Sequence, residues 1–136
     1  MDYDVRSHLR QVKDSLSEDV CLVAISKFHP NEHIMAAYEE GQRVFGESHE
    51  QELARKHESL PADIIWHFIG HLQTNKVRFI VPYISMIESV DSIKLMREIN
   101  KQAAKIDRVI DILIELHIAE EETKYGFTPD ACRQLF

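Results

Sequence analysis

Four kinds of pattern are missing from this chain of 136 residues, and each absence removes a class of function. No apolar stretch approaches the ~20 residues of a membrane-spanning helix, and the opening MDYDVRSHLR has no apolar centre of a signal peptide. A cytoplasmic protein without a membrane partner is expected. No basic stripe is present to neutralise a phosphate backbone: 16 Lys and Arg stand against 23 Asp and Glu, a formal charge of -7. Nucleic acid is therefore not an expected partner. Cysteine is confined to Cys21 and Cys132, without C-x-x-C spacing or a disulfide framework, so two reduced thiols are expected. Neither G-x-G-x-x-G after the first strand nor G-x-x-x-x-G-K-[ST] occurs, which sets aside the common dinucleotide and triphosphate cradles.

What is present suits one domain: 44% of residues are hydrophobic, enough for a single core. Strand-like and helix-like segments take turns. An opening helix over about Val5 to Leu16 precedes a buried strand, Val20 to Ser26, and a helix, Asn31 to Glu40, opened by a cap residue after Pro30. Arg43 to Gly46, Ile64 to Gly70 and Ile84 to Val90 read as strands. Each leads to a helix, at Glu50 to Glu58, around Thr74 to Phe79, and at Ser92 to Lys105. Arg108 to Ile118 is the longest strand candidate, and Thr128-Pro129-Asp130 reads as a further helix start. Such alternation implies right-handed crossovers and a parallel sheet, an α/β fold. Periodicity leaves closure open, since five strands suit an open flavodoxin-like sheet or part of an eight-stranded barrel. Both place chemistry at the carboxyl ends of the strands.

In VIDILIELHI, Ile110, Ile112, Ile114, Leu116 and Ile118 share one face, expected to pack under helices. The other face carries Asp111, Leu113, Glu115 and His117; the plain reading of Asp111 and Glu115 is hydrogen-bonded polar groups of a barrel interior, and His117 is a candidate pocket wall. His67 and His71 form an H-x-x-x-H, but in a strand rising ~3.3 Å per residue they stand roughly 13 Å apart unless the strand breaks at Gly70, so no metal site is expected. The acidic run Glu120 to Glu122 reads as a solvated loop.

The stretch VCLVAISKFHP raises the sharpest question, because an apolar run ends in Lys27. A solvated lysine closing the sheet edge is the plain reading. The functional alternative is a Schiff-base lysine, whose amine reacts only when unprotonated and so needs a site that lowers its pKa from ~10.4, with burial at the strand end as the expected means.

LVAISKFHP, VFGESHEQEL, WHFIGHLQTNKVRFI, IESVDSIKLMREIN and ILIELHIAEEETKYGF follow in that order along nearly the whole chain. Together they resemble the pyridoxal phosphate homeostasis protein family (YggS/PROSC). The resemblance implies the barrel domain of alanine racemase, a modified (β/α) TIM-type barrel, here an N-terminal helix plus about five of eight βα units. It implies pyridoxal 5'-phosphate as cofactor, held by Lys27 as a Schiff base, with Ser48, His67 and His117 as further cofactor-binding candidates and no catalytic residue. Ser48 departs from the family's FGEN, where asparagine stands. It also implies a carrier or buffer of vitamin B6 cofactor that delivers it to pyridoxal phosphate enzymes. A racemase on this barrel takes a second acid-base group, a tyrosine, from an additional domain. Residues 1–136 are expected to form one pyridoxal-phosphate-binding domain, incomplete at its C-terminus. The last three strands and the phosphate-binding loops would lie beyond Phe136, leaving weaker cofactor binding and open edges through which copies could pair. Two alternatives remain: a fold-type III enzyme acting on amino acids, and a truncated α/β scaffold that binds nothing.

Overall fold

Large apolar side chains buried on the central strands decide the layers. Phe45, Trp66, Phe68 and Ile87 are almost completely buried, and Ile110, Ile112 and Ile114 pack partly against the same core. Full burial of such side chains contributes about 1.5–3 kcal/mol each. The facing surface comes from Ile34, Leu53, Val77, Ile80, Leu95 and Ile99.

The computed structural model describes residues 4–117 and 126–135. Its elements are α1 (Val5–Asp14), β1 (Ala24–Ile25), α2 (Asn31–Glu39), β2 (Val44–Glu47), α3 (Glu50–Ser59) and β3 (Ile65–Phe68). A short 3-10 turn (Thr74–Lys76) then enters α4 (Val77–Ile80), followed by β4 (Met86–Val90), α5 (Ile93–Lys105), β5 (Asp111–Ile114) and α6 (Pro129–Arg133). Ile118, the acidic run Glu120 to Glu122 and Lys124 lie outside the described residues.

All strand pairs are parallel, and the strands lie in sequence order from β1 to β5. That order settles the question of closure left by periodicity. A flavodoxin-like sheet reverses direction after its first strand, whereas a barrel adds each strand beside the last. The fold is the α/β arrangement of a barrel wall, with β1 and β5 at its two edges.

Several boundaries differ from the sequence expectations. The first strand is two residues, not Val20 to Ser26; Val20 is 51% exposed and Cys21 is also exposed. As an edge strand β1 can pair only with β2, which starts at Val44; with Ala24 opposite Phe45 and Ile25 opposite Gly46, Val20 and Cys21 have no β2 residue opposite them. The last strand is also short, and β4 with five residues is the longest. Leu116 falls outside β5 and is 46% exposed, and Asp111 is exposed rather than enclosed; both lie on or just beyond the edge strand of the described sheet. Past β5 the chain is held by the Phe127 amide on the Glu115 carbonyl and the His117 amide on the Phe127 carbonyl, at 2.7 and 2.6 Å. Gly126 permits this approach: its φ is +128°, and a Cβ there would stand 2.8 Å from the His117 nitrogen.

Helix starts follow local chemistry. Ser92 and Thr128 accept from the Leu95 and Ala131 amides, capping α5 and α6. At α2 the N-cap is Pro30 itself, without a side-chain bond, and Asn31 instead donates to Ser59. Arg10 grips Glu40 with two nitrogens, at 2.8 and 2.6 Å, fastening α1 to the end of α2. Both cysteines are free thiols, and among the described residues no helix is long and apolar enough to cross a membrane.

Candidate functional site at the carboxyl ends of the strands

Parallel strands bring their carboxyl ends to one rim, and the first three deliver Lys27, Ser48 and Gly70 there in adjacent positions. Beyond β1, the Ser26 amide donates to the Gly46 carbonyl at 3.0 Å, continuing the pairing by one residue. Lys27 and Phe28 then form a turn closed by the His29 amide on the Ser26 carbonyl, at 3.0 Å. Phe28 has φ +66°, a left-handed conformation that is unusual for a bulky residue. Its ring lies 5.1 Å from that of His49, linking the ends of β1 and β2.

Lys27 is exposed, so the burial expected at this position is not found. The reason lies in the sheet: β1 is an edge, and its own Ile25 is 51% exposed. Ser48 is half-buried at the end of β2 against Gly70, whose carbonyl accepts from the Ser89 hydroxyl. A Cβ on Gly70 would meet Ser48 Cβ at 2.8 Å and its carbonyl oxygen at 2.9 Å. Gly70→Ala is expected to lower stability by about 1–3 kcal/mol, measured by urea unfolding. Adding Ser48→Gly should restore little, because the backbone oxygen still clashes; full recovery would show that the side chain alone matters.

His67 lies deeper, on β3, in the cross-strand row Ile25, Gly46, His67, Met86, Asp111. Its Nδ1 is 3.2 Å from Glu88 Oε2, where the β4–β5 register shifts between Ile87 and Val90. His71 follows Gly70 outside the strand and meets Asp91 at 3.1 Å. The two histidines thus have separate carboxylate partners, and among the described residues no group of three or more His, Cys, Asp or Glu could hold a metal ion. His117 follows β5, four strand spacings from β1, roughly 19 Å along the sheet. The fold therefore brings Lys27 and Ser48 to neighbouring strand ends and leaves His117 at the far edge.

Sequence reading missed a buried ion cluster directly beneath Lys27. Lys56 on α3 is 5% exposed, and its ammonium donates to Glu47, Glu52 and the Ser26 carbonyl, each at 2.8 Å. Glu47 is completely buried and also accepts from the Ser26 hydroxyl. Glu52 accepts from the Phe28 amide at 2.7 Å. Burial opposes ionisation of Glu52, but the bonds from Lys56 and Phe28 outweigh it and hold its carboxyl below the usual range. The available signal was the Glu52–Lys56 spacing of four in a helix and a glutamate inside the strand VFGE. A spacing of four ordinarily denotes a solvated surface pair, and only the approach of β2 buries this one.

The donor set fits one end of an aldehyde-bearing cofactor: a primary amine on a held turn, with hydroxyl and imidazole groups along the same sheet. A barrel of this type binds phosphate after its seventh and eighth strands, and the described residues form strands one to five.

Comparison with known proteins agrees with the fold. The pyridoxal phosphate homeostasis protein of Schizosaccharomyces pombe is 39% identical over 137 residues, covering 96% of this chain and 57% of the relative. The protein of that name from Aquifex aeolicus is 43% identical over 116 residues, covering 85% of this chain and 51% of the relative. The chain thus spans about half the length of these curated relatives. Among solved structures, PipY of Synechococcus elongatus with PLP bound matches with a TM-score of 0.87 and 33% identity, over 96% of this chain and 61% of PipY. Alanine racemase of Clostridium difficile shares the fold, with a TM-score of 0.78 at 14% identity over 97% of this chain and 35% of the racemase. The model of the alanine racemase N-terminal domain matches residues 4–136, and on that match, with the sequential parallel sheet, the chain belongs to the alanine racemase N-terminal domain family.

Proposed function

We propose that this chain binds pyridoxal 5'-phosphate through Lys27 and serves vitamin B6 homeostasis as a carrier, without catalytic turnover of its own. The observation that carries the reading is the amine of Lys27 at the carboxyl end of β1, in a chain that superposes on PipY with PLP bound. When bound, the cofactor supplies an aldehyde for attachment and a phosphate for anchoring. The chain supplies the amine, the turn that presents it, and Ser48 beside it on the next strand. His67 and His117 are proposed as more distant pocket residues, on β3 and beyond β5.

The carrier reading is favoured over an amino-acid enzyme by the relatives reported above, which are named as pyridoxal phosphate homeostasis proteins. Delivery of the cofactor to pyridoxal phosphate enzymes in the cytoplasm belongs to the same proposal.

Borohydride reduction of a chain incubated with pyridoxal 5'-phosphate is expected to place the pyridoxyl group on the peptide containing Lys27, and Lys27→Ala should abolish it. Lys76 is a poorer acceptor, since Glu50 stands 3.5 Å from its ammonium. Mass spectrometry finding the label mainly on Lys76 or Lys124 would refute the assignment. Saturable amino-acid racemisation that disappears with Lys27→Ala would instead favour an enzyme.

A further inference from the structure

The bonds of the buried cluster do not end at random. Two of them reach backbone atoms, and those atoms flank Lys27. Lys56 donates to the carbonyl of Ser26, one residue before it, while Glu52 accepts from the amide of Phe28, one residue after it. The ammonium of Lys56 has three N–H donors and meets three acceptors, so its capacity is filled. Glu47 completes the set by binding both Lys56 and the Ser26 hydroxyl.

We propose that Lys56 and Glu52 are positioning residues that grip the backbone on both sides of Lys27 and fix the direction in which its amine leaves the sheet. This rests on the cofactor reading of Lys27 above. Phe28 supplies an independent observation. It is 74% exposed at φ +66°, with the His49 ring 5.1 Å from its own, and the bond from its amide to Glu52 ties the backbone at that residue. Residues held in sparsely populated conformations persist where surrounding structure over-determines them, and they concentrate at functional sites. Removal of the Glu52 acceptor frees Phe28 to return to negative φ, which rotates the Lys27–Phe28 peptide and redirects the lysine.

A purely structural role is a poorer explanation. Burying two carboxylates and an ammonium is a weak route to stability, and apolar side chains of the same volume usually pack as well. Apolar side chains, however, could not hold a carbonyl and an amide on either side of one lysine. The cluster does what packing cannot.

The test uses the whole 136-residue chain, with Glu52→Ala, Glu52→Gln and, as a control on the exposed face of α3, Glu58→Ala. Two quantities are followed: hydrogen exchange of the Phe28 amide by NMR, and the rate at which pyridoxal 5'-phosphate with borohydride labels Lys27, with the exposed Lys94 and Lys101 as internal references. In Glu52→Ala the Phe28 amide is expected to exchange about tenfold faster or more. Labelling of Lys27 should slow about fivefold or more, with the reference lysines unchanged. Glu52→Gln keeps a neutral acceptor and should fall between, and it carries the test if the alanine variant does not fold. Glu58→Ala should match the unaltered chain in both. Phe28 exchange within about twofold of the unaltered chain would overturn the grip. Faster exchange with unchanged labelling of Lys27 would overturn the positioning role alone. Absence of label on Lys27 in the unaltered chain would overturn the cofactor reading, and this role with it.

Discussion

Lys56→Met is expected to destabilise the chain by about 3–5 kcal/mol, whereas Glu47→Leu combined with Lys56→Met should recover most of that loss. The single change leaves Glu47, completely buried, with its charge uncompensated; one of its oxygens has no hydrogen-bond partner even in the intact cluster. The double change removes the Glu47 charge together with its partner, and the remaining carboxylate, Glu52, keeps the Phe28 amide as a donor. A residual loss of about 1 kcal/mol is expected, because the Ser26 hydroxyl and Glu52 each lose a bond. Urea unfolding of the three proteins measures both steps. Equal destabilisation in the single and double variants would show that lost packing, not an orphaned charge, sets the cost.

The same cluster gives the acid response a sign. The folded-state pKa of Glu52 is depressed from its ordinary 4.5, so the stability it contributes is present above that value and is lost as pH falls through the lowered one. Part of the acid destabilisation of the intact chain below pH 4.5 should therefore be missing in Glu52→Gln.

The second large effect is expected in association. The isolated 136-residue chain should self-associate, raising its light-scattering mass at least twofold with concentration, and lysine at Leu113 and Val109 should suppress this. Among the described residues, β1 and β5 are each paired on one side only. Near β5, Val109 is 94% exposed, Leu113 47% and Leu116 46%, while Ile25 on the other edge strand is 51% exposed. Unpaired N–H and C=O groups beside apolar side chains form a template for another strand, and an inserted charge is the usual protection. A monomer at every concentration, in the unaltered chain and the lysine variant alike, would show that these edges are protected by other means.

Sequence alone determined the features that depend on neighbours in the chain. Alternation of apolar segments gave the order of strands and helices, side chains of Ser92 and Thr128 marked two helix starts, and the period of two in VIDILIELHI assigned Ile110, Ile112 and Ile114 to the core side. The motif around Lys27 identified the residue on which the functional reading turns. Tertiary structure decided what depends on residues distant in sequence. Parallel pairing in sequential order selected a barrel wall over a doubly wound sheet. Edge position shortened β1 and left Lys27 exposed, which its apolar neighbours in the chain could not reveal. Above all, the meeting of β2 with α3 turned Glu47, Glu52 and Lys56 from a strand glutamate and a polar helix into a buried cluster holding the turn around Lys27. Hydrophobic pattern is local because a helix or strand repeats every few residues. Desolvation of a charge is not local, because it depends on which distant segment displaces the water.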